Sequence, residues 1–527
     1  MALHNDRSPP VGRVTLWTRI TSVLRVLSEL RRPDFQAAGH FMQLQWGDRS
    51  WPVRWACFFR WGLKQLFLEI PRAAHDLHIP RRVSRTPMWL LDENRWANHP
   101  WQTDPDCELP AEVDTLVIGA GFSGAACGFH WSRRGPTDRT LAIVEMDDPA
   151  SGASGRNEGL VVMGRYFTMV RDTVLRQLPA SRPDLDRGQQ EQLAWQFARQ
   201  YCLAAYRNAE MIAETIENHQ FDCDYVRAGW VQARTAGEQG SLEESVQMAE
   251  QSGFQDWTMI GTAEALERSG MQLHHPAGFS RQAASWHPAK WVWSLLDIAL
   301  QSTQVKLFSR TRVDSIHQQG EQYRVATSRG TILARHVIYA TESYTPALAS
   351  IFHDVILPMQ EQAASGEGGP ATMKPHIGVS GSWYFAGRYG RRVLFGSGGS
   401  RLPDAQAGRN RPSRFLTRFA AAEMKEHFGP YQLELANEWS GTVGYTPDEY
   451  PIVGSVDGQG SWIIAGMCGS GSGVSFNAAG CLVNRILQLE DEQDDYPPEY
   501  FAPSRLLDPA GHRWPDLEAT DTNGEPT

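Results

Sequence analysis

The stretch "VDTLVIGAGFSGAACGFHWSRR", Val113 to Arg134, constrains the fold more than any other part of the chain. It reads as a buried strand over Val113 to Ile118, a tight turn, and a helix from about Ser123. Gly119, Gly121 and Gly124 have the GxGxxG spacing. The first permits a sharp turn, the second lets backbone approach a pyrophosphate, and the third lets the helix pack closely on the strand. The helix N-terminus then presents N–H groups and a positive dipole end to the phosphates. Ala120, Phe122 and Ser123 complete this candidate dinucleotide site. The next strand, "TLAIVE", ends on Glu145, a carboxylate placed to accept hydrogen bonds from an adenosine ribose. A solvated strand end is the plain alternative for that residue.

A second small-residue run follows at once, "ASGASGRNEG" from Ala150 to Gly159. Its glycines and serines let backbone come close to a second part of the same ligand, and Arg156 and Asn157 add donors. A plain nicotinamide-binding unit has no need of such a run, so the pair of turns favours a flavin dinucleotide.

At 527 residues the chain is long for one core, and two or more domains are expected. From "AEVDTLVIGAGFSG" to about Leu489 short β-branched runs alternate with helical patterns, the mark of an α/β architecture. Within it "EQLAWQFARQYCLAAYRNAEMIAETIENH" forms one long amphipathic helix, with Leu193, Phe197, Tyr201 and Ala205 at four-residue steps. The net charge of -10 argues against a nucleic-acid binder, which needs surplus Lys and Arg. No run of 18 apolar residues suggests a membrane span. Seven cysteines without a CxxC pair fit a reducing setting, and with no secretory signal read at the N-terminus a cytoplasmic location is expected.

The motifs resemble those of the FAD-dependent amine and amino-acid oxidoreductases of the D-amino-acid oxidase superfamily, especially the glycine oxidase, sarcosine oxidase and gamma-glutamylputrescine oxidase branch. Ser151 to Gly159 matches that branch's "ASGASGRNGG" except that Glu158 replaces a glycine. The similarity covers roughly Pro87 to Leu489. "MWLLDENRWANHP" looks like the segment before the dinucleotide fold, and His287 and Pro288 open a helix in "GFSRQAASWHPAKWVWSLLDIAL". Val313 stands where backbone meets the adenine, and Ala340 and Thr341 follow a strand beside the cofactor. "GYTPDEYPIVGSVDGQGSWIIAGMCGSGSGVSFNAAGCLVNRIL" resembles the closing flavin segment: a strand "WIIAG", a Gly-Ser turn and a helix near Gly473, whose N-terminus would favour negative charge on a reduced flavin.

The resemblance implies an α/β fold. A Rossmann-like FAD-binding domain with a mixed sheet, discontinuous in sequence (87–165, 281–350 and 437–489), would carry a second α+β substrate domain (166–280 and 351–436). A Trp-rich extension (1–86) and an acidic tail (490–527), read as surface-lying or disordered, would flank them. It further implies FAD held by Gly119, Ala120, Gly121, Phe122, Ser123, Gly124, Glu145, Ser154, Arg156, Asn157, Gly159, Val313, Ala340, Gly466, Gly471, Ser472, Gly473 and Val474. The cysteine and histidine that tether FAD in some relatives are missing from the matching stretches, so the cofactor is expected to be non-covalent, with no metal.

The implied reaction moves a hydride from the carbon beside an amine to flavin N5 and leaves an imine, with a small-molecule amine as substrate. Tyr384 and Arg388, with Trp383 and His376 nearby, are the catalytic candidates, and no obligatory acid or base is named. Ser475 stands where sarcosine-oxidase relatives carry a lysine for a substrate carboxylate, which disfavours small carboxylate-anchored substrates. Glu158 is either solvent-facing or near the substrate entrance, where it would help recognise a positively charged substrate. A flavin-binding scaffold without turnover is the alternative from another class, with the N-terminal region as its docking surface. In that region Trp55, Phe59, Leu63, Leu66 and Ile70 share one helical face opposite Arg54, Lys64 and Glu69. Such a face can meet a membrane surface, a partner or its own domain. The oligomeric state is not legible.

Overall fold

The computed structural model describes residues 108–517 apart from 164–166, 255, 382–383, 404–407, 409–411, 413 and 490–492, together with 49–64, 82–91 and a few isolated positions nearer the N-terminus. The glycine-turn unit forms as its sequence demands. Strand β1 (Glu112–Ile118) leads through the turn into helix α1 (Phe122–Arg134), and β2 (Leu141–Val144) follows. β1 lies at the centre of an eight-stranded sheet, parallel to β2 on one side and to Gly330–Tyr339 on the other. Val305–Phe308 extends the parallel run beyond β2, and Ser461–Ala465 extends it beyond Gly330–Tyr339. The central strands carry apolar residues on both faces: Leu116, Val117, Ile143 and Val144 have no exposed surface. This is the pattern of strands covered on both sides.

One face of the sheet is covered by α1, by Pro288–Ala299 and by Gly471–Leu487, which pack on one another. His287 opens Pro288–Ala299 as its N-cap, accepting from the Lys290 N–H at 3.1 Å, with Pro288 in the first turn where a missing N–H costs nothing. The expected long helix runs Arg187–His219, starting four residues before the "EQLAW" stretch. Asp186 and Gln189 exchange side-chain and backbone hydrogen bonds there, a capping box that fixes the start upstream of the apolar periodicity.

A second eight-stranded sheet is mostly antiparallel, and its longest pair is Leu357–Gly368 against Leu433–Tyr445. The latter is one continuous strand, so the boundary expected at 437 falls inside it. The ladder shifts register at Ala436, whose carbonyl accepts from the Ser84 N–H at 3.1 Å, and the strand continues through this irregularity.

The tail reading needs correction. Tyr496 and Phe501 are fully buried, and helices Pro498–Phe501 and Ser504–Leu507 pack against the first sheet's edge. Acidic composition hid a set of aromatic anchors. Phe197 and Tyr201 of the long helix meet Tyr450 and Tyr500 there. Arg505, 1% exposed, donates to Asp448 Oδ2 at 2.8 Å and to the Tyr450 carbonyl at 3.0 Å. Residues 518–527 lie outside the described residues. At the N-terminus the helix Trp51–Lys64 has no buried residue, and Trp51, Phe59 and Leu63 are exposed. Leu66, Glu69 and Ile70 of the expected face lie outside the described residues. No helix among the described residues is long and apolar enough to cross a membrane.

Removing one partner of a buried ion pair leaves the other charge without compensation. Arg505→Ala is therefore expected to destabilise the chain by about 3–5 kcal/mol, read as a lower denaturation midpoint by tryptophan fluorescence. An unchanged midpoint would show that the tail is not held by this pair.

Candidate functional site

Parallel strands end at one edge of the first sheet, and the loops that leave them meet there: the turn after Ile118, Glu145 after Val144, Thr311 to Val313, and Ala340 after Tyr339. Ligands of open α/β sheets bind outside such carboxyl ends. A cavity of about 1080 Å³ opens at this edge and runs to the second sheet, where Gln362, Tyr384 and Thr442 line it. That volume is at the upper end of small-molecule sites.

At the first-sheet end, Gly119, Gly121, Phe122 and Ser123 form one wall. Gly119 has φ +105°, and a Cβ there would lie 2.6 Å from the Ala340 carbonyl oxygen. A Cβ on Gly124 would overlap the Gly119 carbonyl oxygen, so Gly124 lies beneath the wall and sets the helix-to-strand distance. Ala120 is also beneath it, its N–H donating to Glu145 Oε2 at 2.8 Å, while Glu145 Oε1 accepts from the Asp147 N–H at 2.9 Å. Burial pushes the Glu145 carboxyl above its ordinary range, opposed by these two N–H groups. Val313 and Ala340 line the same end.

The second glycine-rich run is bound to the first. Ser154 Oγ accepts from the Phe122 N–H at 2.8 Å, satisfying a donor that the helix start leaves free, and the Ala150 N–H donates to the Ala120 carbonyl at 3.1 Å. Arg156 and Asn157 line the cavity and also brace their own loop. Arg156 Nε donates to the Ser151 carbonyl at 2.8 Å, and Asn157 Nδ2 donates to the Ser154 carbonyl at 2.8 Å. A loop without ladder partners needs its carbonyls satisfied from side chains. Gly159 is off the wall. Trp89 occupies the space a side chain there would need, and its indole donates to the Asn157 carbonyl at 2.8 Å.

Of the closing segment, Gly471, Ser472 and Ser475 reach the cavity, with Ser475 Oγ donating to the Gly471 carbonyl at 2.7 Å. Gly466 and the buried Gly473 and Val474 lie behind them. Asn208 was missed in the sequence. It is wholly buried, donates to the Ser472 carbonyl at 2.9 Å and accepts from the Phe476 and Asn477 N–H groups at 3.0 Å. Its signal was present: Tyr201, Ala205, Asn208 and Ile212 share the apolar stripe of the long helix, where a polar residue needs a partner.

The catalytic candidates separate. Tyr384 lines the cavity, its hydroxyl 2.7 Å from His427 Nδ1, and burial lowers that imidazole to about 4. Arg388 lies away from the cavity. Its guanidinium holds the Pro370 and Met373 carbonyls at 2.5 and 3.1 Å, because that turn lacks ladder partners. His376 is likewise outside, 3.5 Å from Ser285 Oγ, and Trp383 falls outside the described residues.

Three glutamates define the rest. Glu158 does line the cavity, and loss of solvent together with the nearby Glu361 charge pushes its carboxyl up to about 7. Glu342 accepts from the Gly444 and Met467 N–H groups, both at 2.7 Å, and burial raises it to about 7. Glu361 accepts from the Tyr445 hydroxyl at 2.6 Å. Glu342 and Glu361 carried no sequence signal, one lying in a turn and one in an ordinary strand. No group of three or more His, Cys, Asp or Glu among the described residues is arranged to hold a metal.

The family model described as "FAD dependent oxidoreductase" (DAO) matches residues 114–485. Gamma-glutamylputrescine oxidoreductase of Escherichia coli (strain K12) is 24% identical over 238 residues, 44% of this chain and 49% of that protein, so the match spans about half its length. Hydrogen cyanide synthase subunit HcnC of Pseudomonas aeruginosa is 24% identical over 370 residues, 65% of this chain and 84% of that protein. Among solved structures, L-proline dehydrogenase from P. horikoshii is similar with a TM-score of 0.59 and 16% identity, over 75% of this chain and 98% of that one. Glycine oxidase from Geobacillus kaustophilus has a TM-score of 0.59 and 18% identity, over 74% and 98%. At these identities the structural likeness is one of fold.

Glu158 gives stability a pH dependence of known sign. The folded protein holds its proton more tightly than the unfolded chain, so its contribution is complete below the ordinary value of 4.5 and is lost as pH rises through about 7. Glu158→Gln removes the titration at nearly constant volume. The variant is expected to gain stability over the parent between pH 5 and pH 8, by about 2 kcal/mol, measured from denaturation midpoints. A pH-independent difference would place the carboxylate in water.

Proposed function

The chain belongs to the family of FAD-dependent oxidoreductases whose model it matches, and from that premise we propose that it oxidises a carbon–nitrogen bond of an amine or amino acid held against FAD in this cavity. The observation that carries the reading is one continuous space with two differently built ends. One end is a glycine turn, a helix start and a carboxylate, and the other is a sheet face with tyrosines and glutamates. The printed activities of the relatives, gamma-glutamylputrescine oxidoreductase and glycine oxidase among them, support an amine or amino acid as substrate.

The residues present fit the cofactor. Side chains at Gly119 or Gly121 would fill the cradle that a pyrophosphate needs, since a Cβ on Gly121 would lie 2.7 Å from Ser154 Oγ. In this reading Gly121 and Ser123 hold the pyrophosphate with backbone. Glu145 has two N–H bonds and keeps lone pairs for ribose hydroxyls, and Val313 and Ala340 flank the adenine. When bound, FAD supplies the two-electron acceptor for C–N oxidation. The start of Gly471–Leu487 directs its positive dipole end at the cavity and favours negative charge there. Tyr384 forms part of the wall that excludes water and orients the substrate. The matching stretches lack the cysteine and histidine tethers, so FAD is held non-covalently.

Anaerobic spectra of the purified protein against a panel of amines and amino acids test the reading. Bleaching of the flavin band by a panel member supports it. A flavin that light reduces but no panel member does would leave the silent scaffold. Acid precipitation is expected to release the yellow colour to the supernatant, and colour retained in the pellet would contradict the non-covalent assignment. Gly121→Val places a branched side chain against Ser154 and is expected to yield folded protein with FAD content reduced at least about tenfold, judged by the visible-to-ultraviolet absorbance ratio. Full occupancy in that variant would move the cofactor elsewhere.

A further inference from the structure

The helix Trp51–Lys64 buries none of its 14 residues. Its aromatic side chains meet one another: Trp55 lies 5.9 Å from Trp51, 6.0 Å from Phe58 and 5.7 Å from Phe59 between ring centroids, and Phe58 lies 5.9 Å from Trp61. By helical periodicity Phe58, Trp51, Trp55, Phe59 and Leu63 occupy one side and Arg60 and Lys64 the other, with Arg54 at the border. Trp51 is 71% exposed, Phe59 61% and Leu63 54%. Every charged residue of the helix is a cation. Nearer the N-terminus the helical positions Leu16, Trp17, Ile20 and Leu24, spaced to share a face, are exposed as well. Charge is divided along the chain in the same way. Residues 1–86 hold 14 Lys and Arg against 6 Asp and Glu, whereas the remaining residues hold 36 against 54. A basic, tryptophan-rich extension therefore precedes an acidic body.

Large apolar side chains exposed side by side mark a contact surface, and length, ring chemistry and charge together choose its partner. A helix of 14 residues is about 21 Å long, short of the roughly 30 Å hydrocarbon core of a bilayer, and no helix among the described residues is long and apolar enough to cross one. Lying in the plane of the surface demands no such length. Tryptophan suits that depth, since its ring is apolar and its N–H is satisfied at the headgroups. Cations on the side away from the rings complete the pattern of an interfacial helix, and they favour anionic headgroups. The acidic body is repelled by the same headgroups, so the surface admits the chain by its basic end alone. We propose that Trp51–Lys64, together with Leu16, Trp17, Ile20 and Leu24, docks in the plane of an anionic phospholipid bilayer and holds the protein there peripherally. This inference stands apart from the oxidation reading, because no cavity residue enters it.

The test is flotation of the full-length holoprotein with vesicles of phosphatidylcholine alone and of phosphatidylcholine mixed with phosphatidylglycerol. Partition onto the mixed vesicles is expected to exceed that onto the neutral ones by about tenfold or more at low salt and to fall as salt is raised. Two double variants separate the contributions: Trp51→Ser with Phe59→Ser removes exposed rings, and Arg60→Glu with Lys64→Glu reverses the charge. Each is expected to lower partition onto the mixed vesicles about tenfold while leaving the denaturation midpoint at the parent's value. No flotation, equal flotation with both vesicle types, or undiminished flotation of either variant overturns the proposal. A lowered midpoint in the serine variant would show that the rings pack on their own domain, and would overturn it too. Self-association in sedimentation velocity without lipid, abolished by the serine changes, would assign the face to a second copy of the chain. A single-stranded oligonucleotide that displaces the vesicles would assign it to nucleic acid, and both outcomes overturn the membrane surface.

Discussion

The close approach of helix Phe122–Arg134 to the end of strand Glu112–Ile118 is the constraint on which the rest of the cavity depends. It exists because Gly124 has no side chain to strike the Gly119 carbonyl. The strand is flanked by parallel neighbours on both sides, so its end fixes two other loop starts. The Gly119 N–H donates to the Val144 carbonyl at 2.8 Å and the Ala340 N–H to the Ile118 carbonyl at 3.1 Å. A displaced turn would carry Glu145 and Ala340 with it. The second glycine-rich run is fastened to the same turn through Ser154 and Ala150, so the two runs form one wall although 25 residues lie between Gly124 and Ala150.

A second constraint works across the molecule. Glu342 sits just past the strand Gly330–Tyr339, and its two oxygens hold N–H groups from two other segments: Gly444 near the end of the long second-sheet strand, and Met467 in the closing segment. One carboxylate therefore registers the second sheet and the closing helix against the edge of the first sheet. The cost is a desolvated carboxyl near neutral titration, offset by two short bonds to backbone.

What was legible in the sequence follows from how local each feature is. The strand, turn and helix around Gly119 are determined by a dozen consecutive residues, and the structure differs only by a residue or so at each end. The family was legible for the same reason, since both glycine-rich runs are short and contiguous. Arg156 and Asn157 were read as ligand donors, and that they also brace their own loop was not legible, because sequence does not show which carbonyls lack partners. Arg388 was proposed from its neighbours in sequence, but its strand turns it toward Pro370 and Met373. The tail was misread because composition averages over position: three aspartates, three glutamates and two prolines between Glu490 and Tyr500 conceal that Tyr496, Phe501 and Arg505 all reach the interior. Glu361 was invisible because its partners, Tyr445 and Glu158, are brought to it only by sheet register and loop docking.

The two ends of the cavity handle charge in different ways. The proposed dinucleotide end presents backbone N–H groups and helix starts, which attract anions, with Arg156 and Arg312 also on its wall. The rest of the cavity wall carries both signs of charge, with Glu158 and Glu361 but also Arg176 and Arg234 on it. A chain with net charge -10 that also takes up an anionic cofactor accumulates negative potential in and around this space. Such a field attracts cations in general, and its pull weakens as salt rises. Ser475, standing where a lysine would invert that field, leaves it intact. Glu158, the one residue that departs from the small-residue pattern of its loop, stands on the cavity wall where its charge bears on that field.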